Sequence, residues 1–211
     1  MLVDDVGTPV LADDAAHHLF RVLRVRPGDS VTVTDGAGRW RACRAGEGDL
    51  EPVDEISSVQ RRSTLLTVAC TIPKQDRPEW IVQKLTELGV DRVVFLHAER
   101  SVVRWNDERA ARHLAKLRRV AAEALQQSRG VWLPEVAGPT AAAEFLPGAA
   151  AAEPGALPVG PTDTTVAIGP EGGWSPAELD AAASSVSIGA GVLRVETAAI
   201  VAGARMIMHA E

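Results

Sequence analysis

The sequence is short of the residues and segments that several protein classes require. Its only cysteines are Cys43 and Cys70, and neither lies in a zinc-type cysteine and histidine spacing. The five histidines form no His-x-x-x-His pair and no Ser/His/Asp signature, which disfavours metal-dependent and triad hydrolysis. No run approaches the ~18 apolar residues of a membrane helix. We therefore expect no metal and no membrane partner.

The first ten residues, MLVDDVGTPV, lack the basic start and apolar run of a secretory signal. We accordingly expect a cytoplasmic protein. Hydrophobic residues make up 46% of the chain and charged residues 24%, a composition typical of a folded protein rather than a disordered one. A length of 211 residues allows one large domain or two small ones.

The net charge of −6 by itself argues against a nucleic-acid partner, but the charge is not evenly distributed along the chain. Residues 63–135 carry 12 basic and 9 acidic side chains, a local charge of +3. Because phosphate contacts depend on local patches within a Debye length, an acidic protein can still bind RNA on one face.

Residues 1–62 have the pattern of a small β domain. A hairpin is indicated where Asp35-Gly36 and Gly38 separate VTVT from RWRACR. The stretch HHLFRVLRVRPGD predicts one short helix that ends at Pro27-Gly28. Three arginines lie near the end of this helix, and they either contact RNA or form a solvated face. These are Arg21, Arg24 and Arg26.

From residue 63 the pattern changes to strands that alternate with helices. TLLTVACTI predicts a buried parallel strand, and RVVFLHA predicts another. Between them we expect a helix capped by Asp76 with Glu79 three residues later and ended by Gly89. A second helix is expected from about Asn106 to Ser128. This order predicts βαβ units and a mainly parallel α/β fold.

The remaining third is divided by composition. Residues 137–163 are rich in Ala, Pro and Gly and predict one short helix near Ala141–Phe145 followed by a flexible loop. TTVAIG predicts a strand. Ser175, Pro176 and Glu178 form a capping box with proline at the first helical position, so a helix should begin there.

A glycine loop joins that strand to that helix in AIGPEGGWSPAEL. Such loops bind ligands at the carboxyl edge of parallel sheets. This loop lacks the lysine and hydroxyl of a Walker motif, and Glu171 would repel a phosphate by several kcal/mol if poorly solvated. The ligand should therefore carry no phosphate, which fits S-adenosylmethionine. The alternative is that Gly172 and Gly173 only shape a turn.

A second glycine segment, SIGAGVLRVETA, precedes the last helix. It offers another backbone-rich loop, with Arg194 and Glu196 beside it. If the two loops lie at neighbouring strand ends, they should form one pocket.

Six segments in order resemble the RsmE family, the bacterial 16S rRNA (uracil-N3)-methyltransferases of the SPOUT superfamily. The resemblance covers essentially the whole chain. The segments are HHLFRVLRVRPGD, KQDRPEWIVQKLTELGV, ERSVVRW, QQSRGVWLPEV, IGPEGGWSPAEL and IGAGVLRVETA.

The resemblance implies a PUA-like β-barrel RNA-binding domain over residues 1–62. Over residues 63–211 it implies a SPOUT-type α/β methyltransferase domain with a C-terminal trefoil knot. It further implies a homodimer that uses S-adenosylmethionine and acts on 16S rRNA of the small ribosomal subunit. The cofactor-binding positions that carry over are Ile168, Gly169, Pro170, Glu171, Gly172, Gly173, Ile188, Gly189, Val192, Leu193 and Arg194.

Methylation at uracil N3 requires loss of the N3 proton. We expect Arg194 to stabilise the developing uracil anion, and Glu171 or Glu196 to accept the proton.

Further candidates for RNA contact are Lys74, Lys84, Arg100 and Arg129. Lys84 could pair with Glu87 on its own helix rather than contact RNA.

Two other functions stay open at this point. One is a non-catalytic RNA-binding or ribosome assembly factor on the same scaffold. The other is a SPOUT methyltransferase that acts on another RNA position, such as the ribose 2′-oxygen. The closing motif of the ribose enzymes resembles Glu-Ser-Leu-Asn, whereas this chain has Glu-Thr-Ala-Ala from Glu196, which favours base methylation.

Overall fold

The structure, a computed structural model, describes residues 1–210 and divides into two compact units. The first comprises Met1–Arg62 together with Leu125–Leu133, and the second comprises Ser63–Ala124 and the chain from Pro134 onward. The segment Leu125–Leu133 thus packs in the first unit, although the sequence alone places it in the second domain.

The first unit is built on an antiparallel sheet of four strands. Strands β1 (Ser30–Thr34) and β2 (Arg39–Ala45) form the expected hairpin, with Ser30 opposite Arg44. The turn between them uses Gly36 at φ +69° and Gly38 at φ +91°. The elements are helix α1 (Asp13–His17), a π-helical turn (His18–Val22), and strands β1 (Ser30–Thr34), β2 (Arg39–Ala45), β3 (Leu50–Pro52) and β4 (Ser57–Ser58).

The helix of the first unit lies earlier in the chain than expected. It begins at Asp13 and ends as a π turn at Val22, after which Arg24 has φ +55°. Because a left-handed residue cannot continue a right-handed helix, the backbone leaves the helix before the Pro27-Gly28 signal is reached.

The second unit contains a six-stranded sheet in which every pair is parallel. In their order across the sheet, the strands are β10 (Ser184–Val186), β8 (Ala150–Ala152), β9 (Thr165–Ile168), β5 (Thr67–Thr71), β6 (Arg92–His97) and β7 (Glu135–Ala141). This confirms the α/β prediction. Its elements are β5 (Thr67–Thr71), α2 (Arg77–Glu87), β6 (Arg92–His97), α3 (Asp107–Ser128), β7 (Glu135–Ala141), α4 (Ala142–Phe145), a 3-10 turn (Leu146–Gly148), β8 (Ala150–Ala152), β9 (Thr165–Ile168), α5 (Pro176–Ala181), β10 (Ser184–Val186) and α6 (Val195–Ala210).

Two local predictions for this unit are wrong. Asp76 precedes α2 but its side chain makes no capping bond, and its backbone is not extended (ψ 9°); Glu79 binds Lys116 instead. The loop expected after Phe145 contains strand β8, which pairs with β9 on one side and β10 on the other. Its three alanines carry no strand pattern of their own, so neighbouring backbone groups decide its conformation.

Both cysteines are core residues, as expected. Cys70 is completely buried on β5, and burial raises the pKa of its thiol to about 12, so the reactive thiolate is suppressed at neutral pH. Within residues 1–210, no helix combines the length and apolar character that a bilayer crossing needs.

Candidate functional site

A cavity of about 330 Å³ lies in the second unit where three neighbouring strands end. Strands β9, β8 and β10 are adjacent and parallel, so their carboxyl ends meet at one edge of the sheet, the usual position of ligand sites in α/β proteins. The cavity is lined by Ala152, Glu153, Pro154, Ile168, Gly169, Pro170, Glu171, Gly172, Gly173, Trp174, Ser187, Ile188, Gly189, Gly191, Val192, Leu193, Val195 and Ala198.

The glycine loop, residues 169–174, forms one wall of this cavity. A turn from the Gly173 N–H to the Pro170 carbonyl at 2.8 Å closes the loop, and Gly173 has φ +70°, a conformation that favours glycine. Trp174 is buried, and its indole lies so close to Gly169 that a Cβ there would be 2.9–3.1 Å from the ring. Gly169 therefore allows the loop and the indole to pack together.

Helix α5 anchors the far end of the glycine loop. The Ser175 hydroxyl accepts from the Glu178 N–H, and the Glu178 carboxylate accepts from the Ser175 N–H at 2.9 Å. This reciprocal capping box is the one that the sequence predicts. The loop is consequently held between strand β9 and a helix start with defined geometry.

Residues of the second glycine segment, 187–193, line the same cavity. The Ser187 hydroxyl donates to the Gly189 carbonyl at 3.1 Å, and Val192 is 88% exposed. Both glycine loops line the same cavity, as expected, but the expectation that they follow neighbouring strands is wrong. They follow strands β9 and β10, which are separated by β8.

Residues 152–154 are a third wall that the sequence analysis does not identify. Ala152 is the last residue of β8, and Glu153 and Pro154 follow it. Since β8 itself is hidden in an alanine-rich stretch, the only available signal is the turn-forming Glu-Pro-Gly that begins at Glu153.

The charge of the cavity is negative. Glu153 and Glu171 line it, and among the described lining residues there is no lysine, arginine or histidine. Within residues 1–210, no group of three or more His, Cys, Asp or Glu side chains is arranged to hold a metal ion. The cavity therefore suits a neutral or cationic ligand and disfavours a phosphorylated one.

The three expected catalytic residues have different environments. Glu171 is exposed and lines the cavity. Arg194 is exposed and lies just outside the lining set, and its carbonyl accepts the Ala198 N–H at the start of α6. Its side chain is therefore not committed to holding the helix start.

Glu196 is buried, in contrast to Glu171. Its Oε1 pairs with Nη1 of Arg77 at 3.4 Å, and Oε2 has no hydrogen-bond partner among the described residues. Glu196 does not line the cavity. These contacts describe a structural ion pair between the first turns of α2 and α6.

The residues expected to contact RNA are distributed over both units. In the first unit, Arg21 lines a second cavity of about 380 Å³ together with Phe20 and His17. Lys84 pairs with Glu87 at 2.8 Å, which is the alternative that its spacing allows. The exposed members of the set are Arg21, Arg24, Arg26, Lys74, Arg100 and Arg129.

Arg100 is exposed but makes specific contacts. Its Nη1 donates to the carbonyls of Gly172 and Trp174, both at 3.1 Å. These carbonyls belong to the glycine loop, so Arg100 contacts the wall of the cavity from outside the lining set.

Two family models match this chain, one in each part of it. Residues 60–207 match the family model described as "RNA methyltransferase domain", and residues 11–44 match the one described as "RNA methyltransferase PUA domain". The chain is similar to "Ribosomal RNA small subunit methyltransferase E" of Mycobacterium bovis, with 32% identity over 94% of this chain and 86% of the relative. The protein of that name from Synechocystis is 31% identical over 95% of this chain and 73% of its own length.

A solved structure is also similar. It is the crystal structure of a ribosomal RNA small subunit methyltransferase E from Neisseria gonorrhoeae bound to S-adenosyl methionine. The TM-score is 0.80 and the identity 28%, over 94% of this chain and 90% of the other.

Proposed function

The chain belongs to the RNA methyltransferase domain family, and from that premise we propose that it transfers a methyl group from S-adenosylmethionine to N3 of a uridine in 16S rRNA of the small ribosomal subunit. The observation that carries the proposal is that both glycine loops line one cavity, which has no basic side chain among its described lining residues. The names of the relatives, which state a small-subunit ribosomal RNA methyltransferase, support the substrate class.

S-adenosylmethionine fits the character of this cavity. The volume of about 330 Å³ lies within the ~300–1,000 Å³ typical of small-molecule sites. Backbone groups of the two glycine loops can bind adenine and the amino acid, while Glu153 and Glu171 favour a cationic ligand. The solved relative from Neisseria gonorrhoeae was crystallised with this cofactor. The sulfonium supplies an electrophilic methyl group.

The chemistry requires a base and an anion stabiliser at the mouth of the cavity. We assign proton acceptance from uracil N3 to Glu171, because it lines the cavity and is exposed, whereas Glu196 is buried against Arg77. Arg194 would donate to the uracil carbonyl oxygen on which negative charge accumulates. The N3–H bond would break and its proton would pass to Glu171, while N3 bonds to the methyl carbon. The bond from that methyl carbon to sulfur would break at the same time, with S-adenosylhomocysteine as the neutral leaving group. The uridine must first leave its stack.

The first test is to identify the product. Purified enzyme, cofactor and small subunits from cells that lack the protein should give 3-methyluridine on nucleoside mass analysis, at one mapped position. A protein that binds RNA and yields no methylated nucleoside would be a binding or assembly factor. A 2′-O-methylated nucleoside would identify the ribose-directed alternative.

Replacing Gly169 with alanine is expected to weaken cofactor binding. The new Cβ would lie 2.9–3.1 Å from the Trp174 indole, and displacing a packed ring costs about 1–3 kcal/mol. If that cost falls on the cofactor-binding shape of the loop, it corresponds to roughly five- to 150-fold in Kd. Titration calorimetry with S-adenosylmethionine measures it. Gly160→Ala is the matched control, because its Cβ would meet only Asp163 at an ordinary 3.7 Å. Equal affinities for the two variants would contradict this packing argument.

RNA binding should weaken steeply as salt rises. We propose that the exposed arginines of the first unit neutralise phosphates, and each neutralised phosphate releases counterions. A plot of the logarithm of the affinity against the logarithm of the KCl concentration should be a straight line with a negative slope. For about six phosphate contacts, the affinity should fall by about 10³-fold or more between 50 and 200 mM KCl. Arg21→Gln should reduce the slope by about one. A flat response would remove the phosphate contacts from the proposal.

We further propose that the working form is a cytoplasmic homodimer and that the C-terminal part of the chain is knotted. The support is the resemblance of the chain to the RsmE family, which implies both properties. Sedimentation equilibrium should give twice the chain mass of 22.3 kDa.

A further inference from the structure

We propose that Arg100 is a positioning residue that holds the glycine loop in its cofactor-binding shape. This role rests on the proposed function in one respect, which is that the loop binds S-adenosylmethionine. The contacts of Arg100 with the loop do not depend on that proposal. From the sequence alone, Arg100 in the segment ERSVVR is a candidate for RNA contact. Its contacts favour the other role.

The guanidinium of Arg100 bridges two points of the loop. Nη1 donates to the Gly172 carbonyl and to the Trp174 carbonyl, each at 3.1 Å. Between them lies Gly173, whose φ of +70° gives the loop its turn. The two bonds therefore span the left-handed residue and oppose its relaxation.

The stem of Arg100 packs against the same loop. A Cβ on Gly172 would lie 3.6 Å from Cβ and 3.8 Å from Cδ of Arg100, so the side chain lies along the Gly172 backbone. This packing holds the guanidinium at the loop carbonyls.

The residue before Arg100 is tied to the same region. Glu178 is buried, and its Oε1 accepts from the Glu99 N–H at 2.8 Å, while Oε2 accepts from the Ser175 N–H at 2.9 Å. The carboxylate thus joins the segment after β6 to the start of α5. Arg100 and Glu178 together fasten the loop on both sides of Trp174.

The segment that carries Arg100 is itself braced. The Ala98 N–H donates to the Ser101 hydroxyl at 2.9 Å, and the Ser101 N–H donates to the Ala98 carbonyl at 3.1 Å. Arg104 donates through Nη2 to the same carbonyl at 2.8 Å. These hydrogen bonds fix the backbone that carries Arg100, as a residue that positions a binding loop requires.

The test compares Arg100→Gln and Arg100→Lys with the control Arg112→Gln. Arg112 is an exposed arginine of α3 that pairs with Glu108, so its replacement removes the same charge without touching the loop. Three quantities are measured on the full chain: Kd for S-adenosylmethionine, RNA affinity with its salt slope, and hydrogen exchange of the loop amides without ligand.

We expect Arg100→Gln to raise the cofactor Kd about ten-fold, the loss of two charge-assisted hydrogen bonds at a partly solvated site, and to speed exchange across residues 169–174. Arg100→Lys should recover only part of both effects, because a lysine cannot reproduce the planar guanidinium. RNA affinity of Arg100→Gln should match that of the control.

Opposite results would overturn the role. An unchanged exchange rate in the loop would show that Arg100 does not hold it, whether or not the protein binds the cofactor. Full rescue by lysine, with a lower RNA salt slope for glutamine, would identify an RNA contact instead. Another outcome is that the wild-type protein binds no S-adenosylmethionine while Arg100→Gln still speeds hydrogen exchange in the loop. That result would contradict the proposed function but support the role of Arg100 in holding the loop.

Discussion

Arg194→Ala is expected to lower the single-turnover rate of methyl transfer by about 10²–10³-fold, the usual effect of removing one donor from a preorganised anion site. The fold should be unaffected, because Arg194 is exposed and its role in starting α6 is made by its backbone carbonyl. The measurement is rapid quench with saturating cofactor and RNA. Cofactor affinity should change much less than the rate, since the donor acts on charge that develops in the transition state.

The matched control for Arg194 is Arg119→Gln, which removes an exposed arginine from helix α3. It should retain the wild-type rate. If Arg194→Ala transferred methyl groups as fast as this control, Arg194 would have no part in stabilising the uracil anion. The proposal would then need another donor near Glu171.

Gly138→Ala is expected to give the largest loss of stability, about 3 kcal/mol or more. Gly138 has φ +102° on β7, and a Cβ there would lie 2.3 Å from the Phe95 carbonyl oxygen and 2.9 Å from its nitrogen. These are backbone atoms of β6, which pairs with β5 on its other side, so they cannot move aside cheaply. Urea denaturation measures the change as a lower midpoint.

Gly148→Ala serves as the comparison for that variant. Nothing lies within 4 Å of a Cβ at Gly148, and its backbone conformation suits alanine. Its free energy of unfolding should lie within about 0.5 kcal/mol of wild type. Equal midpoints for the two variants would mean that β7 can shift along β6 without cost.

Local sequence signals predict many elements of this fold well. The Ser175 and Glu178 capping box appears with both of its hydrogen bonds, because all the groups it needs lie within four residues of the chain. The β1–β2 hairpin appears for the same reason, since its turn glycines act locally. Strand β5 is completely buried, as its continuous apolar run indicates.

Other predictions depend on partners that are remote in the chain. Asp76 and Glu79 have capping-box spacing, but Glu79 binds Lys116 from another helix. Strand β8 is three alanines between two neighbouring strands, and no pattern within it distinguishes a strand from a loop. In each case a long-range contact outweighs a local propensity worth less than about 1 kcal/mol.

The sequence by itself determined the alternation of strands and helices, the two glycine loops and the absence of a phosphate-binding lysine, because these are properties of residue type and spacing. Only the tertiary structure decided which side chains meet. The loops after β9 and β10 line one cavity, although strand β8 lies between those strands. Glu196 is buried and pairs with Arg77, and Arg100 donates to the carbonyls of the glycine loop. Those outcomes depend on chain packing over tens of residues, which no local pattern encodes.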